Sequence, residues 1–135
     1  MKWYRKAVNQ GDAGAQSSLG FMYINGQGVK QNDFEAVKWF SKAADQGYAK
    51  AQVSLGLMYQ GGHGVKQDDF EAVKWFSKAA DQGDANAQFM LGMSYLLEEG
   101  VQVNKFLAKE WLGKACDNGE QEGCKYYAKL NRGEL

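Results

Sequence analysis

The sequence contains one stretch of 19 residues almost unchanged in two places. Residues 29–47 read VKQNDFEAVKWFSKAADQG, and residues 65–83 repeat them with one change, from Asn32 to Asp68. The two copies lie 36 residues apart, and a fixed period of this length is typical of stacked-repeat architectures. Because each repeat in such a stack contacts mainly its neighbours, this period constrains the fold more than any other feature.

The same period extends over the rest of the chain. Three related stretches, AGAQSSLGFMY, AKAQVSLGLMY and ANAQFMLGMSY, begin at Ala13, Ala49 and Ala85, and a more divergent fourth begins at Gln121. We therefore predict a single solenoid domain over residues 1–135. Its predicted parts are a partial repeat at 3–12, full repeats at 13–48, 49–84 and 85–120, and a capping helix at 121–131.

The composition disfavours two broad classes of function. The chain has 16 basic and 16 acidic residues and therefore no net charge, whereas nucleic-acid binding normally needs a clustered basic excess. No apolar run approaches the roughly 18 residues of a membrane-spanning helix. The chain begins inside a repeat, so we expect a trimmed domain, and the missing signal peptide is weak evidence about the compartment.

Each full repeat is predicted to form two helices joined by a glycine turn. In the first repeat, Asp12 is placed to cap a helix over residues 13–24, and a second helix is predicted over residues 33–46. A glycine inside a helix costs about 1 kcal/mol relative to alanine, so its recurrence there indicates close helix–helix approach. These glycines are Gly20, Gly56 and Gly92.

The second helices carry an apolar face and a start signal. Phe34, Val37, Phe40 and Ala44 fall on one side of the predicted helix, which we expect to be buried. Capping boxes start these helices in the first two repeats, where Asn32 and Asp68 are each followed three residues later by glutamate. Leu107 breaks the box in the third repeat, so we expect a weaker helix start there.

The repeats resemble those of the Sel-one-like repeat (SLR) family, a relative of the tetratricopeptide repeat. The shared pattern is A-x-A-Q-x-x-L-G-x-x-Y, then G-x-G-V, then W-x-x-K-A-A-x-x-G, and it covers essentially residues 3–131. The resemblance implies an all-α, right-handed superhelix of αα-hairpins. It also implies a role in protein recruitment, as an adaptor or scaffold, although a fold alone does not establish a function.

Cys116 and Cys124 are the only cysteines, and they fall on the two arms of one helix–turn–helix. They take the places of Ala44 and Gln52, and of Ala80 and Gln88, at the two earlier bends, so the residues of each of those pairs should face each other as well. This offset from the bend can bring Cα atoms to about 5.5 Å, as a disulfide requires. The run KACDNGEQEGC also resembles the cysteine-rich secreted branch of the family, in which each hairpin is stapled. The alternative is a pair of reduced, buried thiols.

A disulfide would imply an oxidising compartment, and we predict a periplasmic or secreted protein, with the cytoplasm as the alternative. The other repeats lack cysteines, which departs from the fully stapled branch and weakens the inference about the compartment.

The tetratricopeptide resemblance also implies which positions face a partner. Matching Leu19, Gly20 and Tyr23 to that arrangement places a set of positions on the concave face formed by the first helices. The predicted partner-binding residues are Ser17, Phe21, Lys50, Val53, Leu57, Asn86, Phe89, Met93 and Leu97. Five of them form an apolar line that we call the inner stripe: Phe21, Val53, Leu57, Phe89 and Met93. If it is open to solvent, the inner stripe would suit an apolar or amphipathic segment.

Other interpretations of this face remain open. The inner stripe could be ordinary core, or a missing N-terminal helix or a second copy of the protein could cover it. Self-association through the truncated N-terminal end is a related possibility. Phe89 and Leu97 are predicted to be the most exposed, because Ser17 and Asn25 take their places in the first repeat. The ladder of Trp3, Trp39, Trp75 and Trp111 is interpreted as packing between helices and not as a ligand platform.

The sequence offers little support for catalysis or cofactor binding. His63 is the only histidine and is interpreted as an exposed loop residue, so neither a Ser-His-Asp triad nor a histidine-rich zinc site is expected. Members of the cysteine-rich branch have been linked with penicillin binding, but the S-x-x-K signature of such acylation is absent. The glycine loops lack the lysine and Ser/Thr of a phosphate-binding loop. We predict no enzymatic activity, no cofactor and no metal.

The sequence therefore predicts an αα-hairpin solenoid that binds another protein or peptide through its concave face. The runner-up is a peptidoglycan- or β-lactam-binding module of the cell envelope. An inhibitor or immunity protein with one dedicated partner would use the same physical interactions as the first prediction.

Overall fold

The computed structural model describes Lys6, Val8 and residues 10–135. This part of the chain contains seven α-helices and no strand, and each end lies within about one residue of its predicted position. The helices are α1 (Ala13–Asn25), α2 (Asp33–Asp45), α3 (Ala49–Gly61), α4 (Asp69–Asp81), α5 (Ala85–Leu97), α6 (Lys105–Asp117) and α7 (Gln121–Asn131). The predicted all-α repeat architecture with its period of 36 residues is confirmed. Trp3 and most of the partial repeat at 3–12 lie outside the described residues.

The core runs along the stack as two overlapping clusters, because each helix packs against the helices before and after it in the chain. The first cluster combines Phe40 with Leu55 and Met58 of the second repeat, and Trp75 joins it from α4. The second combines Phe76 with Leu91, and Trp111 packs against it. Trp75 and Trp111 are thus each shared between neighbouring repeats, as the packing interpretation of the ladder predicted.

The helical glycines let the two helices of each repeat approach closely. A Cβ atom built on Gly56 would lie 2.6 Å from the ring of Phe76, and one built on Gly20 would lie 2.8 Å from the ring of Phe40. In the third repeat, Gly92 meets Leu112 at 2.8 Å in the same way. These separations are too short for real carbon–carbon contacts, so the predicted close approach is confirmed.

The second helices begin with the same cap in all three repeats. Asn32, Asp68 and Asn104 each accept a hydrogen bond from the backbone N–H three residues on, at 3.1–3.2 Å in the first two repeats and 3.0 Å in the third. Their own N–H groups donate to the carbonyl oxygens of Tyr23, Tyr59 and Tyr95 in the preceding helix. The N-cap N–H is therefore already satisfied, and the glutamate of the capping box is not needed for it. The third repeat therefore keeps the same cap despite Leu107, and the weaker helix start expected there stays a prediction.

Glycines in the loop between the two helices of a repeat let that loop pack closely against the preceding repeat. Gly64 has φ +72°, and a Cβ atom there would lie 2.5 Å from the carbonyl oxygen of Asp33 and 3.0 Å from Val37. Gly100, with φ +77°, meets Asp69 and Val73 in the same manner. Each loop therefore rests on the start of the second helix of the preceding repeat, which fixes the stacking of consecutive hairpins.

Candidate protein-binding site

Part of the predicted binding face is open to solvent. Phe21 and Leu57 occupy equivalent positions on α1 and α3, and their side chains are 45% and 44% exposed. Leu97, at the end of α5, is 54% exposed. Lys50 and Asn86 are exposed on the first turns of α3 and α5. Three apolar and two polar side chains of the predicted face are thus accessible.

Other predicted contacts are less accessible. Ser17 is only 4% exposed, so its prediction as a solvent-facing contact was wrong. Phe89 is half-buried because its ring packs against Tyr126 of α7, with ring centroids 6.1 Å apart. Phe89 is therefore less open than Phe21, contrary to the expected order. Val53 and Met93 are also half-buried.

The last helix ends the inner stripe with basic residues. Lys125 and Lys129 stand in α7 at the positions that Phe89 and Met93 occupy in α5. Their ammonium groups lie 6.0 and 5.7 Å from the centroid of the Tyr126 ring. An apolar line that ends in two cations suits a partner segment with apolar side chains and an acidic end.

A second apolar feature was missed in the sequence. Phe34, Phe70 and Phe106, the second residues of α2, α4 and α6, are 76%, 78% and 69% exposed. We call them the outer row. The predicted burial of Phe34 was wrong, because a side chain in the first helical turn is tilted toward the N-terminus and extends past the packed part of the hairpin. The signal in the sequence was the return of phenylalanine at the same position in three repeats.

Lysine side chains lie over the three described tryptophans. Trp75 is buried, Trp39 and Trp111 are half-buried, and the ammonium groups of Lys42, Lys78 and Lys114 lie 4.4–4.7 Å from the ring centroids. These cation–π contacts, together with the shared packing, leave little room for a ligand on the described tryptophans.

Buried amides connect the hairpins. Gln52 donates to the carbonyl oxygen of Ala44 at 3.2 Å and accepts from Gln82 at 2.9 Å. In the next repeat, Gln88 donates to Ala80 at 3.3 Å and accepts from Asn118 at 2.8 Å. We call this chain of bonds the amide ladder, which the sequence had signalled only through the recurring A-x-A-Q pattern.

A disulfide occupies the next position of the amide ladder. Cys116 and Cys124 are joined, with Cα atoms 4.6 Å apart, where the earlier hairpins have an alanine and a glutamine. The structure holds no free cysteine in its described part. The expected facing of Ala44 and Gln52 is confirmed by their hydrogen bond.

Among the described residues, the Tyr59 hydroxyl has a shifted pKa. Burial raises the pKa of the Tyr59 hydroxyl above its ordinary value, and the negative charges of Glu71 and Asp68 raise it further. His63 is exposed in its loop, as predicted. No group of three or more metal-binding side chains occurs among the described residues. None of the described helices is long and apolar enough to cross a membrane.

Consecutive αα-hairpins with a shared core and open first-helix faces define a helical repeat solenoid. The model of the Sel1 repeat family matches residues 1–12, 13–48, 49–84 and 85–120, and the chain belongs to this family. Sel1 repeats are commonly protein–protein interaction modules and typically serve as non-enzymatic scaffolds. The resemblance inferred from the repeat motifs is thereby confirmed.

Solved structures of bacterial repeat proteins are similar to the chain. One is c5321, a protective antigen of uropathogenic Escherichia coli with an SLR fold, at 42% identity and a TM-score of 0.94. Another is a Sel1 repeat protein from Oxalobacter formigenes, at 39% identity and a TM-score of 0.87. A third is cysteine rich protein B of Helicobacter pylori, at 26% identity and a TM-score of 0.73.

The similarity covers most of this chain in each case. The shares are 98% for the E. coli structure and 93% for the other two. The chain spans only 29% of the E. coli structure but 95% of each of the others. No curated protein matches the chain.

Proposed function

We propose that this protein is a non-enzymatic adaptor that binds another protein or a peptide on the face formed by its first helices. The observation that supports this best is the exposure of Phe21 and Leu57, which stand at equivalent positions in consecutive repeats. Large apolar side chains that the fold leaves open, surrounded by polar groups, mark interaction surfaces.

The partner segment is expected to be apolar along most of its length. Apolar side chains would pack on Phe21, Leu57 and Leu97, where they displace water from both surfaces. Acidic groups near one end would meet Lys125 and Lys129, which raises the association rate and fixes the direction of binding. The varying residues on this face would then set specificity, while the invariant Leu-Gly-Tyr frame maintains the fold.

The test is retention of a partner from the native cell envelope by immobilised wild-type protein and by a Leu57→Asp variant. We expect the variant to lose the partner, because a carboxylate would replace apolar contact at the centre of the face. Val103→Asp is the matched control, since Val103 is 42% exposed and lies on the loop before α6, away from this face. The retained protein would be identified, purified and titrated against all three forms.

Loss of binding by Leu57→Asp alone would support the proposal. Equal binding by all three forms would move the site to another face. If none retains a protein, binding to isolated peptidoglycan would be measured next, because that is the alternative function for an envelope protein.

We also propose an extracytoplasmic location, periplasmic or secreted. The disulfide between Cys116 and Cys124 supports this, since such bonds persist in oxidising compartments. Alkylation of cells before lysis should leave both thiols unlabelled, whereas labelling of both would favour the cytoplasm.

A further inference from the structure

The outer row is an apolar surface that the proposed adaptor function does not use. Phe34, Phe70 and Phe106 are more exposed than any residue of the inner stripe. The stacking of the repeats places the three phenylalanines in a line, and shallow depressions of the protein surface lie beside them. One of these, of about 710 Å³, lies between Phe70 and the loop that contains Gly100 and Val101. Another, of about 460 Å³, lies between Phe106 and Tyr127.

The charges beside the outer row reverse in the third repeat. The residue before each phenylalanine is Asp33, Asp69 or Lys105, and the residue one turn after it is Lys38, Lys74 or Glu110. The fourth residue after a phenylalanine shares its helix face, so these side chains border the row. Both positions therefore change sign between the first and third repeats, while the phenylalanine is kept.

This pattern is complementary to itself under a two-fold rotation. If the rotation axis passes through Phe70 parallel to α4, the row of one copy runs antiparallel to the row of a second copy. Phe34 then meets Phe106 of the second copy. Lys38 meets Glu110 of the second copy, and Asp33 meets Lys105 of the second copy. A two-fold interface must match itself in this way.

We propose that the outer row is a homodimer interface, in which two copies of this chain pack their phenylalanines antiparallel about a two-fold axis at Phe70. Phe34 of each copy would enter the depression beside Phe106 and Tyr127 of the other, and the Lys38–Glu110 and Asp33–Lys105 pairs would fix the register. The six flanking residues carry no net charge together, which disfavours an anionic membrane or a nucleic acid as the occupant.

The residues on the axis have local counter-groups. Asp69 would face its own copy in the partner, but its carboxylate accepts a hydrogen bond of 2.7 Å from Gln67. Lys74 would also face its own copy in the partner, but its ammonium group lies 3.7 Å from the carboxylate of Glu71. These contacts reduce the repulsion at the centre.

The flanking residues also have local partners, since Asp33 accepts from Gln31 at 2.7 Å, Lys38 lies 4.0 Å from Glu35, and Lys105 donates to the carbonyl oxygen of Leu135 at 3.1 Å. In the dimer these exposed local contacts would be exchanged for the pairs across the axis.

The test is sedimentation of the purified chain over a concentration series that reaches about 100 μM. We expect the wild type to dimerise, and Lys38→Glu to weaken the dimer by about tenfold or more, because it places like charges together twice in each dimer. The exchanged variant, Lys38→Glu with Glu110→Lys, should restore the dimer. Restoration within one chain is excluded, because α2 and α6 are not packed together in the structure.

Two further variants complete the design. Phe70→Ser should weaken the dimer without unfolding the protein, since Phe70 is 78% exposed. Lys50→Glu is the control for charge reversal, since Lys50 lies on the first helix of its repeat, and it should leave the dimer unchanged. Thermal melting of each variant, followed by circular dichroism, checks the fold.

Three results would overturn the proposal. They are a wild type that stays monomeric throughout the series, an equal effect of Lys50→Glu and Lys38→Glu, and an exchanged variant that remains as weak as Lys38→Glu.

Discussion

Gln52 donates a hydrogen bond of 3.2 Å to the carbonyl oxygen of Ala44, across the bend that joins the first two repeats. Cys124 and Cys116 occupy these two positions in the third bend, where a covalent bond replaces the hydrogen bond. The hydrogen bond and the disulfide are thus alternative links at one site of the repeat. Exchanging one for the other measures how much each contributes to the free energy of unfolding.

Replacing both cysteines by alanine should lower the free energy of unfolding by about 2–3 kcal/mol, because the bond closes a short loop. Cys116→Ala with Cys124→Gln should recover about 1 kcal/mol of this, because glutamine can restore the hydrogen bond of the earlier bends. Urea unfolding of the three proteins compares them. Equal stabilities of the two variants would show that the amide contributes nothing at this site.

Gly56→Ala should destabilise the protein by about 1–3 kcal/mol, because the new methyl group would lie 2.6 Å from the ring of Phe76. Gly14→Ala is the control. It is also a helical glycine, but its nearest neighbour is the Asp12 carboxylate at 3.3 Å, an exposed cap that accepts from the Ala15 N–H and needs to move by only a few tenths of an ångström. We therefore expect a change of less than about 1 kcal/mol, since the gain in helix propensity offsets the shift of the cap. Thermal melting measures both, and a Gly56→Ala protein as stable as the wild type would contradict the close packing.

Glu98→Gly should stabilise the protein by about 1 kcal/mol. Glu98 has φ +58°, a left-handed conformation that the first two repeats assign to Gly26 and Gly62. The reverse change, Gly62→Glu, should cost a similar amount in the second repeat. Chemical denaturation of both variants gives the comparison, and a loss of stability in Glu98→Gly would indicate a contact of the glutamate that outweighs its backbone strain.

Asp68→Ala should cost about 1 kcal/mol, because it removes the acceptor for the N–H of Glu71. Glu71→Ala should cost less than about 0.5 kcal/mol, since the Asp68 N–H already donates to Tyr59 and the Lys74–Glu71 ion pair is exposed. Equal losses from the two changes in urea unfolding would mean that the glutamate does stabilise the helix start.

Stability should fall as the pH rises above 10. The pKa of Tyr59 is raised from 10.0 by burial and by Glu71 and Asp68, so the folded protein keeps this proton when the unfolded chain has lost it. The folded state then binds more protons, and the free energy of unfolding decreases with pH across that window. Tyr59→Phe should show a shallower decrease when unfolding is followed between neutral and alkaline pH. An unchanged slope would rule out Tyr59 as its source.

The period and its glycines allowed most of the fold to be predicted. Identical residues at a fixed spacing require one local structure to be repeated, and the glycine that recurs inside each first helix, such as Gly56, indicates where helices meet. The facing of Ala44 and Gln52, and hence the position of the disulfide, followed from the same register. These predictions depend on contacts within a repeat or between adjacent repeats, which the sequence records directly.

The binding face was predicted less well, because helical periodicity shows which residues share a face but not what covers it. Ser17 is buried and Phe89 packs on Tyr126, although both fall on the predicted open face. Phe34 shows the opposite error, since its position in the first turn takes it beyond the packed part of the hairpin. Exposure in a solenoid depends on neighbouring repeats and on distance from the helix end, neither of which a helical pattern contains.

The amide ladder also has a consequence for how such a chain can change in length. The second repeat carries both halves of the joint, a glutamine donor, Gln52, in its first helix and a carbonyl acceptor, that of Ala80, near the end of its second helix. If a unit of 36 residues is duplicated or deleted, the two hairpins that become neighbours can therefore form the same hydrogen bond, from a glutamine side chain to an alanine carbonyl oxygen. Recombination between the near-identical stretches at 29–47 and 65–83 would add or remove 36 residues at such a position. The number of repeats can therefore change by whole units while the hydrogen bonds between hairpins are kept.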